Sequence, residues 1–364
     1  MDTVRLVTVT LALLLAAVAV LGVVIVTGRL LRRLRTRRDA RIAAEVRPLL
    51  LRLTAGDEDD VDEPLRRLAA MDRRRWLVVQ ASAVSLLGKV SGQGNAALAR
   101  LFQERGAARS ALADLSRRGA VRRARAANVL GLLHHAEAVG ALVGLLTDRH
   151  PEVRTSAARA LGRIGEPQAA APLLRSLSGG RIPSDVVAQA LIRIGPAARP
   201  ALAKAMAHPD PAVRAIAAEV LGVIGSVGSV AALIRALTMD PSTEVRARAA
   251  ASLGRLGTPA CLDALAGATS LIHPTAVRAE AASALGDIGA AGGVPALRGL
   301  LADHHYRVAH NAARSLTRLG GPARDVLEEA AAGTMGKRAA GHAKEALAVL
   351  DLAEGRPLRP AAAP

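Results

Sequence analysis

The stretch PEVRTSAARALGRIG, residues 151–165, returns along the chain with small changes. It recurs as PAVRAIAAEVLGVIG at 211–225, TEVRARAAASLGRLG at 243–257 and TAVRAEAASALGDIG at 275–289. From Leu130 onward, the leucine of the Leu-Gly pair, here called the anchor leucine, repeats about every 31 residues. Such a regular period predicts one structural unit that is copied in space.

The apolar residues of the repeated stretch are spaced like one face of a helix. Val153, Ala157 and Leu161 stand four residues apart, whereas a half-buried strand would alternate. Gly165 then follows, where a left-handed helix C-cap favours glycine. A second apolar run, AAAPLLRSL at 169–177, precedes the next copy. The sequence therefore predicts an all-α fold, an α-solenoid of helix pairs that bury their apolar faces against one another.

The pattern D..PEVR..AARALGRIG at 148–165 resembles the HEAT-like repeat first associated with phycobilisome lyases, and the resemblance extends over residues 72–352. One copy departs from it, with Pro183 and Ser184 where Val-Arg is expected. The resemblance implies a right-handed α-solenoid whose second helices line a concave inner surface. It leaves the function open, because such repeats serve scaffolds, lyases and nucleic-acid enzymes alike.

The N-terminus differs from the repeats. Residues 6–27 carry no ionisable side chain, and a helix of this length spans about 33 Å. This length favours a retained transmembrane anchor over a cleaved signal peptide, whose apolar stretch is about 7 to 15 residues. Because arginine clusters stay on the cytoplasmic side and attract anionic headgroups, we expect a single-pass membrane protein with its N-terminus outside and the array in the cytoplasm. The expected membrane-surface residues are Arg29, Arg32, Arg33, Arg35, Arg37 and Arg38.

The interval between Leu87 and Leu130 is longer than the others, and we expect it to hold an insertion or distorted repeat with two helical stretches. The predicted segments are a tail at 1–5, the transmembrane helix at 6–27, a basic juxtamembrane helix, acidic linker and capping helix at 28–71, the solenoid at 72–352 and a disordered tail at 353–364.

Composition limits the classes of partner. The formal net charge of +18 is spread along the chain and would suit nucleic acid or an anionic membrane. Trp76, Phe102 and Tyr306 are the only aromatic side chains, so few surfaces exist on which bases or a tetrapyrrole could stack. Cys261 is the single cysteine, which precludes an intrachain disulfide. We therefore do not expect nucleic-acid binding.

Two charged residues recur once per repeat. An arginine stands seven residues before the anchor leucine, and an aspartate stands thirteen residues before it. Catalytic groups are rarely copied in every repeat, so we predict a ladder of ion pairs between stacked repeats. Its members are Arg123, Arg154, Arg214, Arg246, Arg278, Asp148, Asp240 and Asp303.

Variable polar residues stand two positions before or after the anchor leucines, away from the apolar stripe. The family geometry would place them in the concave groove, where solenoids commonly bind partners, and the alternative is an ordinary solvated face. The candidate protein-binding residues are Lys89, Asn128, Arg159, Arg163, Gln189, Arg193, Glu219, Arg255 and Arg318.

Known catalytic and metal-binding motifs fail in their context. GQGNAA at 92–97 follows a predicted helix, whereas a dinucleotide-binding loop follows a strand. The adjacent pairs His134/His135 and His304/His305 point to different sides of a helix and have no carboxylate or cysteine at ligand spacing. We therefore expect no enzymatic activity, no cofactor, no metal and no small-molecule substrate.

These observations together favour a membrane-anchored scaffold that mediates protein–protein interaction through the concave face of the solenoid. Its partner, which the sequence does not identify, is expected to be associated with the membrane. Two alternatives stay open. One is a phycobilin-lyase-like protein that binds a chromophore, and the other is a HEAT protein that binds nucleic acid through a basic groove.

Overall fold

The computed structural model describes residues 20–23, 26–27, 29, 37–55 and 61–356, and its regular structure is helical throughout these residues. The chain divides into two compact units, Met1–Ser110 and Ala111–Pro364. The prediction of an all-α fold is therefore confirmed.

The N-terminal unit packs its helices around a small leucine core that includes the aromatic residues Trp76 and Phe102. Trp76 meets Phe102 edge-on, with 5.4 Å between ring centroids. The Arg105 guanidinium lies 4.4 Å from the Trp76 ring centroid and donates hydrogen bonds to the carbonyls of Leu68 and Ala69. The helices are α1 (37–55), α2 (Asp62–Ala69), α3 (Arg73–Leu87), α4 (Gln93–Glu104) and α5 (Ala107–Leu115), which crosses the boundary of the unit.

Helices α4 and α5 occupy the long interval that follows Leu87, and this confirms the two helical stretches predicted there. A left-handed Gly106, with φ of +61°, separates them. The chain can therefore turn sharply between α4 and α5 without strain on a side chain.

The C-terminal unit is an α-solenoid of helix pairs. Its even-numbered helices carry the repeated stretch and are called the phrase helices. Each phrase helix packs on the next one, and each odd-numbered helix packs on the phrase helix that follows it. The elements are α6 (Ala120–Leu132), α7 (Val139–Leu145), α8 (Pro151–Ile164), α9 (Ala170–Arg175), α10 (Ser184–Ile194), α11 (Arg199–Ala205), α12 (Pro211–Val223), α13 (Val230–Met239), α14 (Thr243–Leu256), α15 (Leu262–Gly267), α16 (Thr275–Ile288), α17 (Val294–Leu300), α18 (Tyr306–Leu316), α19 (Gly321–Ala331) and α20 (Lys337–Ala353).

The anchor leucines form the centre of the core. Burial of these side chains, together with Val153 and Ala157 on the same face of α8, confirms the core face expected from the helical spacing. Removal of this apolar area from water is the main favourable contribution to folding. The buried anchors of this unit are Leu130, Leu161, Leu191, Leu221, Leu253, Leu285, Leu316 and Leu347.

The glycine of the Leu-Gly pair allows neighbouring phrase helices to touch. A Cβ atom added at Gly162 would lie 2.5 Å from Cα and 2.8 Å from Cβ of Ala190 on the next phrase helix. The same contact recurs between Gly254 and Ala284. In each case the partner is a small residue directly before the next anchor leucine. Each repeat therefore supplies a glycine for the contact with the following repeat and a small residue for the contact with the preceding one.

Gly162→Ala is therefore expected to lower the free energy of unfolding by about 1–3 kcal/mol, because the added methyl group overpacks the contact with the Ala190 backbone. Gly341→Ala is the matched control. Gly341 lies within α20 and a Cβ there meets no atom within 4 Å, so the better helix propensity of alanine should raise stability by about 0.5–1 kcal/mol. Urea unfolding followed by circular dichroism measures both changes. Equal signs for the two variants would contradict the close contact.

Glycines also end the phrase helices, in two ways. Gly165, Gly257 and Gly289 are left-handed C-caps, as predicted. Gly195 ends α10 with a positive φ but a ψ of −147°, because the next helical turn begins directly after it. Gly320, with a ψ of −153°, lies beyond the end of α18 and is the N-cap of α19.

The membrane prediction requires correction. Residues 6–19 and 24–25 of the expected anchor lie outside the described residues, and 20–23 is the longest described run of the anchor. Among the described residues, no helix combines the length and the apolar character needed to cross a membrane, which takes about 20 consecutive apolar residues. The prediction of a single-pass protein with its N-terminus outside and its repeat domain in the cytoplasm is therefore wrong.

Only three of the six expected membrane-surface arginines lie within the described residues. Arg29, Arg37 and Arg38 are described and exposed to solvent, the last two at the start of α1. Arg32, Arg33 and Arg35 lie outside the described residues, as do most of the acidic linker (56–60) and the tail from 357 to 364.

Candidate protein-binding surface

The recurring arginines and aspartates form ion pairs between successive repeats. The most enclosed pair joins Arg278 to Asp303, whose side chains are 4% and 1% exposed. Arg278 donates through Nε and Nη2 to the two carboxylate oxygens at 3.0 and 3.1 Å. Asp303 also accepts from the backbone N–H of His305, at the start of α18. The Asp303 carboxylate therefore accepts hydrogen bonds both from a side chain of α16 and from the backbone at the start of α18.

Two further pairs repeat this arrangement, Arg123 with Asp148 and Arg214 with Asp240. Burial alone would raise the pKa of Asp240, but hydrogen bonds from Arg214 and from the Ser242 N–H outweigh it and hold the pKa below its usual value. These three pairs confirm the predicted ladder.

Two of the recurring arginines lack an aspartate partner. Arg154 donates instead to backbone carbonyls, including that of Arg181. Arg246 buries its Nε atom without a hydrogen-bond partner among the described residues. The ladder is therefore broken at these two positions.

Five of the nine candidate binding residues lie together on neighbouring phrase helices, Asn128 on α6 and two each on α8 and α10. Arg159 and Arg163 are one helical turn apart on α8, and Gln189 and Arg193 are one turn apart on α10. All four line an open depression of about 270 Å³, together with Asp185. This spacing places the side chains of each helix on a single face.

Arg163 is the best-fixed member of this group. Its Nη1 atom donates to Oδ1 of Asn128 on α6 at 2.6 Å. Burial lowers the pKa of Arg163, and the charges of Arg193 and Arg159 lower it further. We call Arg159, Arg163 and Arg193 the arginine cluster. Within the described part of the chain, none of the three forms an ion pair with a carboxylate, although Asp185 lines the same depression.

The other four candidates do not join this group. Glu219 pairs with Arg248 of the next phrase helix, and Arg318 pairs with Asp287. These two are engaged in contacts between repeats. Arg255 is exposed at the end of α14, and Lys89 is exposed two residues after α3 in the N-terminal unit.

A histidine cluster lies near the C-terminal end of the array, and the sequence analysis missed it. The imidazoles of His310 on α18 and His342 on α20 and the carboxylate of Glu345 bring one nitrogen or oxygen atom each within 4.8 Å of one another. The Tyr306 ring stacks on His310, with 5.4 Å between centroids. His342 and Glu345 are three residues apart on one helix face, which was a usable signal, but His310 comes from the neighbouring repeat.

The HEAT repeat model matches residues 107–193, 183–254, 199–271 and 268–348, which together cover more than half of the chain. The chain therefore belongs to the HEAT-repeat family. The match is to HEAT repeats in general and does not distinguish the phycobilisome-lyase type. No curated protein matches the chain.

Solved structures with the same fold include karyopherins. A mutant of Kap121p is 13% identical, with 85% of this chain and 42% of that chain covered and a TM-score of 0.55. Kap121p bound to the SUMO protease Ulp1p is 13% identical over 84% of this chain and 41% of that chain, with a TM-score of 0.53. Kap95p, in a structure with RanGDP, is 14% identical over 84% and 48%, with a TM-score of 0.52. This chain spans less than half the length of these karyopherins, and identities this low show the shared solenoid fold alone.

Proposed function

We propose that the array is a protein-interaction scaffold and that its arginine cluster binds an acidic segment of a partner protein. The observation that carries the proposal is the presence of three arginines around one depression without a carboxylate partner among the described residues. A guanidinium presents a planar set of donors that matches a carboxylate, and such charge-assisted bonds are among the stronger ones in proteins. Binding, rather than catalysis, is the function that these residues support.

We infer that the arginine cluster lies on the concave face of the solenoid. Phrase helices approach one another until glycine meets alanine backbone, and successive phrase helices pack on one another more extensively than successive odd-numbered helices do. A stack whose rows are unequally spaced curves toward the more closely spaced row, here the phrase helices rather than the second helices that the resemblance implied, and solenoids commonly bind partners on that side.

Two further observations support a protein partner. The similar solenoids Kap121p and Kap95p have been captured with the protein partners Ulp1p and RanGDP. The formal net charge of +18 would speed the encounter with an acidic partner by long-range attraction.

The test uses a triple variant, Arg159→Glu, Arg163→Glu and Arg193→Glu, and a fluorescein-labelled glutamate-rich peptide as the probe. The peptide should bind the variant at least about tenfold more weakly than the unaltered chain, since losing even one bond to a charged group costs about 1.5–3 kcal/mol. Fluorescence anisotropy at fixed ionic strength measures the affinity, and circular dichroism checks that helicity is unchanged.

The matched control reverses three exposed arginines outside the cluster, Arg109, Arg175 and Arg235, and so has the same net charge. It should bind the peptide within about twofold of the unaltered chain. Equal losses in the two triple variants would mean that only net charge matters, and undiminished binding by the cluster variant would also refute the assignment.

A further inference from the structure

The histidine cluster offers a set of metal ligands from two neighbouring phrase helices. His310 lies on α18, and His342 and Glu345 lie three residues apart on one face of α20. The three ligand atoms fall within 4.8 Å of one another, and the His310 Nδ1 atom lies 3.8 Å from Glu345 Oε2. All three side chains line one open cavity of about 230 Å³.

The donor atoms suit a borderline transition metal. Two imidazole nitrogens and one carboxylate oxygen are a ligand set that Zn²⁺ accepts, with a fourth position left for water. Ligand atoms about 2.0–2.2 Å from Zn²⁺ in a tetrahedral site stand about 3.4 Å apart. The cluster therefore has to contract by little more than 1 Å. Glu345 is 56% exposed and can supply that movement by a change of rotamer.

The imidazoles are available and already oriented. Among the described residues, neither His310 nor His342 makes a hydrogen bond through its ring nitrogens, although His342 is buried. Tyr306 stacks on His310 at an interplanar angle of 12° and lies 5.1 Å from His342 between ring centroids. One aromatic ring therefore packs against both imidazoles and limits their rotation. Arg314 lines the same cavity, and its positive charge should moderate the affinity for a cation.

We propose that His310, His342 and Glu345 bind one divalent transition-metal ion such as Zn²⁺, and that the bound ion ties α18 to α20. This site is separate from the arginine cluster and does not depend on the proposed binding function. Because the ligands come from two repeats, binding stabilises the folded array and not the unfolded chain.

The experiment titrates the full chain, first treated with a chelator, with Co²⁺ as a coloured substitute for the spectroscopically silent Zn²⁺. We expect visible absorption that saturates at about one ion per chain, disappears when Zn²⁺ is added, and accompanies a rise in melting temperature. His310→Ala and Glu345→Gln should each weaken binding at least about tenfold. Neither substitution alters a fully buried residue, and circular dichroism checks the fold.

The double variant His304→Ala and His305→Ala is the control, since this exposed histidine pair lies outside the cluster. It should retain the saturating absorption in full. Absence of saturable binding to the unaltered chain, unchanged binding by Glu345→Gln, or loss of binding in the control would each overturn the proposal.

Discussion

Asp303→Ala is expected to lower the free energy of unfolding by about 3–5 kcal/mol, because it leaves the buried guanidinium of Arg278 without its counter-charge. The same change removes the acceptor for the His305 N–H at the start of α18. The cost therefore combines an uncompensated buried charge with the loss of a helix-start hydrogen bond. Urea unfolding followed by circular dichroism measures it.

Asp287→Ala is the matched control. Asp287 also pairs with an arginine of a neighbouring repeat, Arg318, but both side chains are about two-fifths exposed. Solvent screens such a pair, so its loss should cost about 1 kcal/mol or less. A similar cost for the two variants would show that the Arg278–Asp303 pair is not a principal contact between repeats.

The ladder could be predicted from the sequence because both of its members keep a fixed distance from the anchor leucine. The breaks at Arg154 and Arg246, both predicted members of the ladder, are explained by the same count. Thirteen residues before Leu191 and Leu285 the chain has Ser178 and Ile272 in place of aspartate. Ile272 is 85% exposed, and Arg246, the arginine that lacks a partner there, has its Nε atom buried. At this break the missing aspartate therefore leaves a buried donor in one repeat and an exposed apolar side chain in the next.

The candidate site could be predicted only in part, because its character depends on residues of the neighbouring repeat. Arg163 and Arg318 hold equivalent positions, two residues after their anchors. Arg318 faces Asp287 and forms an ion pair, whereas Arg163 hydrogen-bonds Asn128 and lies near Arg193. Position within one repeat identified the exposed face. Whether a charge on that face is paired depends on the register between two helices, which a single repeat does not contain.

The histidine cluster shows the same limit. His310 and His342 stand six and five residues before their anchors, so they are not equivalent copies. Within its own repeat each histidine is an isolated substitution, and only packing of α18 on α20 brings the two together. Convergence of unlike positions from two repeats is therefore the feature that a periodic description of this sequence omits.

Leu221→Ala is expected to lower the free energy of unfolding by about 2–5 kcal/mol, because Leu221 is 0% exposed and the truncated side chain leaves a cavity as well as losing its apolar burial. Leu221 belongs to α12, in the interior of the array, and this helix packs on phrase helices on both sides, α10 and α14. In a solenoid each repeat is stabilised by its neighbours, so a defect in an interior repeat weakens two interfaces at once.

Val223→Ala provides the comparison within the same helix. Val223 is apolar and lies two residues after Leu221, but it is 44% exposed, so its truncation should change stability by about 0.5 kcal/mol or less. Chemical unfolding of both variants, followed by circular dichroism, measures the difference. Because the two positions are about 200° apart around the helix, equal losses would mean that the buried face of the phrase helices is rotated from the one that the anchor leucines define.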